Sequence, residues 1–315
     1  MTIPTLTKMV KVYTESASVE RLKCGKPDEG TVRNTLAGVR QFKRWLNQRR
    51  AALGYETIPF DEDFPLVSII KPPLVHKYLA EMLKRGLKPV TAMSYITQLQ
   101  QLFARWVRPY YEDLGWRVPE FPALNGRPKA PRYVRPSPDL LAAVKTWYRG
   151  LSSLDSAAVF KGRKGLIPAQ EIWFAATMML EFAMRNGDIM RLKNENFVEH
   201  CGRMYLNYTP HKTANSSARM VRWPIHPTLW SRLASGIPTL NSEVFLQLNK
   251  QIRELGFTGT KGAYELRKIC IDHVYQKFGA EMAVSISGDD IKTIIHYYAD
   301  PSQPNIGDVM ISDLL

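Results

Sequence analysis

Two arginines in the second half of the sequence have the chemistry needed to bind a phosphate group. Arg185 lies in AMRNGDIMRL, residues 183–192, and Arg267 lies in GAYELRKICIDHV, residues 262–274, where it opens a predicted buried helix. A guanidinium group stays charged and presents a planar fork of donors that can hold two phosphate oxygens. Arg185 is not diagnostic alone, because an arginine before a glycine is usually a surface residue at a turn.

A lysine and two adjacent tyrosines add groups that could act on such a phosphate. Lys212 lies on the turn of a predicted hairpin, YTPHKTANSSARMVRWPIHP, residues 208–227. Its ammonium can serve as a general acid, although a merely exposed hairpin lysine is the commoner interpretation. Tyr297 and Tyr298 lie in SGDDIKTIIHYYAD, residues 287–300. Because the free pKa of a phenol is about 10, cations and a nearby base must assist its ionisation before it can act as a nucleophile.

In their order along the chain, these segments resemble the catalytic boxes of the tyrosine recombinases, the phage integrase family. The first box has an arginine followed after one residue by glycine and an acid, which here are Arg185, Gly187 and Asp188. The resemblance implies that Asp188 orients the arginines or caps the helix that follows. The second box commonly reads His, any residue, Leu, Arg, and Tyr264 stands where the histidine is usual, before Arg267. Tyr264 can donate a hydrogen bond but carries no positive charge, and a packed ring with a satisfied hydroxyl is equally consistent.

The resemblance also identifies the nucleophile and a second departure from the family. Members usually show Gly-His and then a tyrosine nine positions beyond the histidine. Asp289 replaces that histidine here, and the count leads to Tyr298, with Tyr297 as the competing candidate. An ionised aspartate cannot donate a hydrogen bond, and an anion beside a phosphate is unfavourable. Either another group, with His296 or His273 as candidates, fills the missing role, or the activity is low or requires assembly.

Amphipathic helices with basic polar faces dominate the first part of the chain. Residues 31–49 and 90–107 each place apolar side chains at helical spacing, and residues 73–86 predict another helix closed by Gly86. The apolar positions of the first two are Val32, Leu36, Val39, Phe42, Trp45 and Leu46, then Met93, Ile96, Leu99, Leu102, Phe103 and Trp106. Residues 1–125 are therefore predicted to form a helical bundle, whose basic faces either contact nucleic acid or are simply solvated.

A proline-rich basic stretch separates this bundle from a mixed second half. Residues 126–138, GRPKAPRYVRPSP, predict an extended connector, so that a second domain spans residues 139–315. This half shows helical patterns at 138–149 and 168–185, alternating strand patterns from residue 196, and helices again after Pro227. The predicted fold is mostly α with a small antiparallel β-sheet. The resemblance implies a helical core-binding domain followed by a catalytic domain.

Composition favours a polyanionic partner. Lys and Arg number 43 against 29 Asp and Glu, a net charge of +14, although a basic balance can also serve solubility alone. The three cysteines, Cys24, Cys201 and Cys270, have no metal-ligand spacing, and we expect no metal and no cofactor. The start lacks the apolar run of an export signal, and no apolar stretch is long enough to span a membrane, so a cytoplasmic protein is expected.

The resemblance implies the activity and the partners. Site-specific recombinases of this family cut and rejoin double-stranded DNA through a 3′-phosphotyrosyl intermediate, as in the integration or excision of prophages and mobile elements. They act without a metal, close around DNA as a clamp, and assemble as tetramers on two DNA sites. The tail, residues 301–315, either docks on a neighbouring subunit or packs on its own domain. The alternatives are a non-catalytic DNA-binding protein with a degenerate recombinase fold and a type IB topoisomerase-like enzyme. In each case the protein is expected to associate with the nucleoid.

Overall fold

The computed structural model contains two compact units, Met1–Ala130 and Pro131–Leu315. The structure describes residues 6–24, 29–56, 72–104, 108–113, 115, 132–211, 220–233, 236–259 and 261–298. Among the described residues, no helix is both long enough and apolar enough to cross a membrane.

The described part of the first unit is helical. Its helices are α1 (Leu6–Cys24), α2 (Glu29–Ala52), α3 (Pro72–Lys84), α4 (Pro89–Leu102) and α5 (Arg108–Asp113). Helix α2 packs along α4, and α3 also packs against α4. The helix predicted over residues 90–107 ends at Leu102, Phe103 remains buried, and Trp106 lies outside the described residues.

An aromatic cluster forms the core of the first unit. Phe42 and Trp45 on α2 stack with ring centroids 5.8 Å apart, and the Tyr78 ring of α3 lies 5.0 Å from each. The indole Nε1 of Trp45 donates a hydrogen bond of 2.6 Å to Glu81 Oε2, so its buried polar atom is satisfied. The apolar stripe predicted for residues 31–49 thus faces the core, where the aliphatic side chain of Lys43 is also buried.

The second unit is mostly helical with two small antiparallel sheets, as the predicted fold class requires. Its helices are α6 (Pro138–Ser152), α7 (Ala169–Leu180), α8 (Asn186–Ile189), α9 (Pro227–Leu233), α10 (Ser242–Glu254), α11 (Gly262–Phe278), α12 (Ala280–Ser287) and α13 (Ile291–Tyr297). Its strands are β1 (Val159–Lys161), β2 (Leu166–Pro168), β3 (Phe197–His200), β4 (Arg203–Tyr208) and β5 (Val221–Pro224). Strands β3, β4 and β5 form one sheet in that order, and β1 pairs with β2 in a hairpin that the sequence did not predict.

Helix α7 is the centre of the larger core and ends earlier than predicted. The sequence predicted a helix over residues 168–185, whereas α7 ends at Leu180. Ten of its residues are buried, from Ala169 to Leu180, so no polar face interrupts the apolar pattern at its end. The chain reverses instead at Ala183, whose φ of 49° is rare for a residue other than glycine. This reversal brings Arg185 to the start of α8.

A second, smaller cluster joins the last three helices. It consists of Ala183, Cys270, Ile271, Val274, Ala283, Ile286, Ile294 and Tyr298. Ile294 on α13 is fully buried there, and burial of such a side chain contributes roughly 1.5–3 kcal/mol. Because this cluster holds α13 against α11 and α12, it fixes the position of Tyr298 directly after α13.

Candidate active site

The two arginines that the sequence singled out converge on one carboxylate. Arg185 Nη2 donates to Asp289 Oδ1 at 2.5 Å, and Arg267 Nη2 donates to Asp289 Oδ2 at 2.6 Å. The exposed fractions of the three side chains are 13%, 0% and 11% for Arg185, Arg267 and Asp289. Residues far apart in sequence therefore form a largely buried cluster in which Asp289 bridges the two arginines.

Backbone geometry sets the position of each arginine. The reversal at Ala183 is closed by a hydrogen bond of 3.0 Å from the Met184 N–H to the Met178 carbonyl. A positive φ costs a residue with a side chain about 1–3 kcal/mol, so the surrounding core must enforce it. Arg267 instead lies within α11 between buried neighbours, which holds its guanidinium on a rigid element.

Gly288 is required where it stands, and it places Asp289. It caps α12 with a φ of 65°, and a Cβ added there would lie 3.1 Å from Pro210 Cγ. The next residue, Asp289, donates its N–H to Ser287 Oγ at 3.1 Å. Arg267 Nη2 also reaches the Ser287 carbonyl at 3.1 Å. Ser287 thus supports the site, and the sequence analysis missed it, although the Ser-Gly pair is a typical helix end.

Asp188 links the first arginine to the hairpin that carries the predicted lysine. Its Oδ2 lies 3.8 Å from Arg185 Nη1, and its Oδ1 accepts a hydrogen bond of 2.9 Å from the His211 N–H. No side-chain capping bond is present at the start of α8. Of the two roles expected for Asp188, the geometry therefore favours orientation over helix capping. Lys212 itself lies outside the described residues.

Two tyrosines share a hydrogen bond beside Arg267. The hydroxyl oxygens of Tyr264 and Tyr298 are 2.7 Å apart. The guanidinium carbon of Arg267 lies 5.9 Å from the Tyr264 ring centroid and 5.4 Å from that of Tyr298. Tyr297, the competing candidate, is 43% exposed, whereas Tyr298 is 5% exposed. Of these two candidates, Tyr298 is the one beside the arginine cluster.

The two phenols have opposite pKa shifts. Burial raises the pKa of Tyr298, and the neighbouring Tyr264 and Asp289 add to this against the lowering effect of Arg267. Burial also acts to raise the pKa of Tyr264, but the Arg267 charge, the hydrogen bond with Tyr298 and the Arg185 charge together lower it. Tyr264 is therefore the phenol that loses its proton more easily.

The two histidines proposed for the missing family role, His296 and His273, contact other groups. The His296 ring packs edge-on to Tyr297 at 4.4 Å, and its carbonyl accepts the Tyr133 N–H at 3.3 Å. Burial lowers the pKa of His273, and the charge of Lys277 adds to this. Within the described residues, neither histidine forms a hydrogen bond with the arginines or with Tyr298. The expected supporting role of His296 stays a prediction.

Several donors of the arginine cluster have no acceptor. Arg185 Nη1 and both Nε and Nη1 of Arg267 are buried and lack a hydrogen-bond partner within the described part of the chain. A buried donor without a partner costs about 1–3 kcal/mol. Burial acts to lower the pKa of Arg267, but Tyr264, Tyr298 and Asp289 raise it overall, so this guanidinium stays charged. The cluster can therefore bind more acceptor oxygens than it holds.

A buried ion pair that the sequence did not reveal supports α11 from the other side. Arg135 Nε donates to Asp272 Oδ2 at 2.6 Å, Arg135 Nη2 donates to Oδ1 at 3.3 Å, and each side chain is 6% exposed. Arg135 belongs to the stretch interpreted from sequence as a basic connector. The acid within the apolar KICIDHV segment was the available signal, because a buried carboxylate needs a partner.

The described residues contain no group of three or more His, Cys, Asp or Glu side chains that could hold a metal ion. No protein-family model matches the sequence, and no curated protein is significantly similar to it. Similarity appears in three-dimensional structure.

Several solved structures share the architecture of this chain at low sequence identity. Lambda integrase, in a tetramer bound to a Holliday junction, is similar over 99% of this chain and 77% of its own, with 14% identity and a TM-score of 0.58. XerH site-specific recombinase, in a post-cleavage complex with palindromic difH substrate, is similar over 91% and 89%, with 13% identity and a TM-score of 0.60. The Tn1549 transposon integrase, in complex with a circular intermediate DNA, is similar over 92% and 94%, with 12% identity and a TM-score of 0.55. This chain therefore has the tyrosine recombinase fold.

Proposed function

We propose that this chain cuts and rejoins double-stranded DNA at a specific site, with Tyr298 as the nucleophile. The observation that carries the proposal is the buried convergence of Arg185, Arg267 and Tyr298 in one unit. Two guanidinium groups and a phenol are the groups that transfer of a phosphodiester to a tyrosine requires. The similar solved structures are integrases and a recombinase in complex with DNA, which supports DNA as the substrate.

The reaction exchanges one ester bond for another. Tyr298 Oη forms a bond to the scissile phosphorus as the bond from phosphorus to the 5′ oxygen breaks, which leaves a 3′-phosphotyrosyl link and a 5′ hydroxyl. Arg185 and Arg267 hold the non-bridging oxygens and stabilise the charge that builds up on them. The phosphotyrosyl ester retains the energy of the original bond, so a 5′ hydroxyl from another strand can reverse the step without ATP.

Two protons must move during this step. Burial acts to raise the pKa of Tyr264, but the charges of Arg267 and Arg185 lower it overall and favour its phenolate. That phenolate accepts the Tyr298 proton across the 2.7 Å between the two oxygens. The leaving 5′ oxygen takes a proton from Lys212, which follows His211, the residue whose N–H is bound to Asp188. In this scheme Tyr264, which stands where the family motif usually has a histidine, is the general base.

Assembly and cellular role extend the proposal. The net charge of +14 favours phosphate contacts by both units. Recombination between two DNA sites needs several active sites, and lambda integrase has been solved as a tetramer on a Holliday junction. We therefore propose a homotetramer on two sites that integrates or excises a mobile element or prophage.

A non-catalytic DNA-binding protein is the second candidate, and one observation favours it. Asp289 pairs with both arginines, so their positive charge is already partly neutralised in this structure. A protein whose arginines stay paired in this way could bind DNA through its other basic surfaces without cutting it. A third possibility, a type IB topoisomerase-like enzyme, shares the chemistry but acts without a partner subunit.

A nicked suicide substrate tests these alternatives. Duplexes taken from the DNA flanking the gene are each nicked near a candidate cleavage point. After attack they lose the short fragment that carries the 5′ hydroxyl, which traps the protein on DNA. The proposal predicts a covalent adduct that Tyr298→Phe abolishes and Tyr297→Phe leaves intact. DNA binding without an adduct would favour the non-catalytic protein. Relaxation of any supercoiled circle, without strand exchange between two sites, would favour the topoisomerase.

A further inference from the structure

Asp289 occupies the arginine cluster in the way that a phosphate would. One carboxylate oxygen binds Arg185 and the other binds Arg267, at 2.5 Å and 2.6 Å. The two non-bridging oxygens of a phosphodiester would be divided between two guanidinium groups in the same manner. The exposed fraction of the Asp289 side chain, 11%, lies between those of Arg267, 0%, and Arg185, 13%.

A bound carboxylate and a bound phosphate are difficult to accommodate together. Both are anions that would compete for the same two forks, and repulsion between them is poorly screened where water is excluded. Three arginine nitrogens nevertheless remain buried and without an acceptor among the described residues, on Arg185 Nη1 and on Arg267 Nε and Nη1. The carboxylate therefore satisfies the cluster only in part, and a phosphate with its larger set of oxygens could satisfy it better.

The backbone around Asp289 is a short link. Helix α12 ends at Ser287, α13 begins at Ile291, and Gly288 has a φ of 65°. A change in the link dihedral angles could withdraw the Asp289 carboxylate while both helices remain packed. Asp290, the neighbouring acid, instead faces solvent and caps α13 through the Thr293 N–H at 2.9 Å.

We propose that Asp289 acts as an internal substitute for the scissile phosphate and closes the site of the free protein. DNA opens the site by displacing this carboxylate. Asp289 thereby weakens phosphate binding while it keeps the two arginines aligned. The inference rests on the proposed function, because it takes the arginine cluster as the binding site of a DNA phosphate. Asp289 is thus a positioning residue for the arginines and a competitor of the substrate.

Inorganic phosphate is a probe that tests this inference without any DNA cleavage. The full chain and its Asp289→Asn variant are titrated with phosphate by calorimetry at constant ionic strength. The variant keeps the size of the side chain but removes the charge. Asp290→Asn removes the same charge one residue away, at an exposed position where asparagine also caps a helix well, and is the matched control.

We expect the phosphate dissociation constant of Asp289→Asn to be at least about tenfold lower than that of the wild type. Loss of even one competing charge-assisted hydrogen bond changes an equilibrium constant by about that factor. Asp290→Asn should bind phosphate as the wild type does. Addition of Arg185→Ala to Asp289→Asn should remove the gain, which locates the phosphate at the cluster. Should Asp289→Asn not fold, Asp289→Ser offers a smaller replacement for the same titration.

The outcomes separate this inference from the proposed function. Equal phosphate affinity in Asp289→Asn and wild type, or an equal gain in Asp290→Asn, would overturn the role of Asp289 as a competitor, whatever the result with DNA. Tighter phosphate binding in Asp289→Asn alone would support that role even if no covalent adduct forms. The adduct assay with Tyr298→Phe then judges the proposed function on its own.

Discussion

The ion pair between Arg135 and Asp272 allows a prediction with a defined size. Replacement of Arg135 by alanine leaves the Asp272 carboxylate on the buried side of α11, where 6% of its side chain is exposed. The bond from Arg135 Nε to Asp272 Oδ2 is 2.6 Å long, and a second bond of 3.3 Å makes the contact bidentate. Asp272 lies on the same helix as Arg267, so loss of the pair also loosens the support of the candidate site.

The magnitude follows from burial. Breaking a buried ion pair by removing one partner costs about 3–5 kcal/mol, because the remaining buried charge loses the opposite charge of that pair. An exposed pair contributes about 0–1 kcal/mol. Lys250 and Glu254 form such a pair on α10 at 3.8 Å, with side chains 65% and 61% exposed. Lys250→Ala is therefore a matched control within the same unit, and it should lower the free energy of unfolding by less than about 1 kcal/mol.

Hydrogen exchange during urea unfolding measures the loss of stability in Arg135→Ala and in Lys250→Ala. Exchange with mass spectrometry resolves peptides of the second unit, so its free energy of unfolding is separated from that of the first unit. Arg135→Ala should lower the value for α11 peptides by about 3–5 kcal/mol. In a double-mutant cycle, Arg135→Ala with Asp272→Ala should cost less than the sum of the single changes. If Arg135→Ala lowers the free energy of unfolding no more than Lys250→Ala does, burial does not make this ion pair stronger than an exposed one.

Three further predictions concern the site and its surroundings. Tyr264→Phe removes the phenol with the lowered pKa, so adduct formation should fall about 100-fold, and its rise with pH should shift to higher pH, as a pH-rate profile of Tyr298 attack would show. An unchanged profile would remove Tyr264 from the proton path. Gly288→Ala combines a positive φ with a contact of 3.1 Å to Pro210, so it should lower the unfolding free energy by about 1–3 kcal/mol in urea titrations, and a neutral result would contradict the left-handed geometry. Cys270 is fully buried, and burial raises the pKa of its thiol, so mass spectrometry should find it unmodified by a thiol reagent until the protein unfolds.

Helical periodicity and chain order allowed much of this architecture to be predicted. The apolar stripe containing Phe42 and Trp45 faces the first core, because side chains three and four residues apart share one face of a helix. The strand patterns after residue 196 form the three-stranded sheet. The two boxes containing Arg185 and Arg267 also meet in space, as their family resemblance implied.

The features that were not predicted are short elements, a helix end within an apolar segment, and contacts between residues distant in sequence. Strands β1 and β2 have three residues each, too few for an alternating pattern to be recognised. The end of α7 at Leu180 is set by the reversal at Ala183 within an apolar segment, where periodicity gives no signal. The sequence indicated that Asp289 was unfavourable beside a phosphate, but it gave no means to see that this carboxylate pairs with both arginines. That partner choice is decided by the packing of α11, α12 and the link after it.

Peptide mapping of a trapped protein–DNA adduct is the direct test of Tyr298 as the nucleophile. After proteolysis and nuclease digestion of the wild-type adduct on a nicked duplex, mass spectrometry identifies the residue that carries the nucleotide. We expect a phosphodiester on the hydroxyl of Tyr298, with attachment through the 3′ phosphate. Attachment to Tyr297, to Tyr264 or to any other side chain would contradict it, and so would an adduct that persists at the wild-type level in Tyr298→Phe.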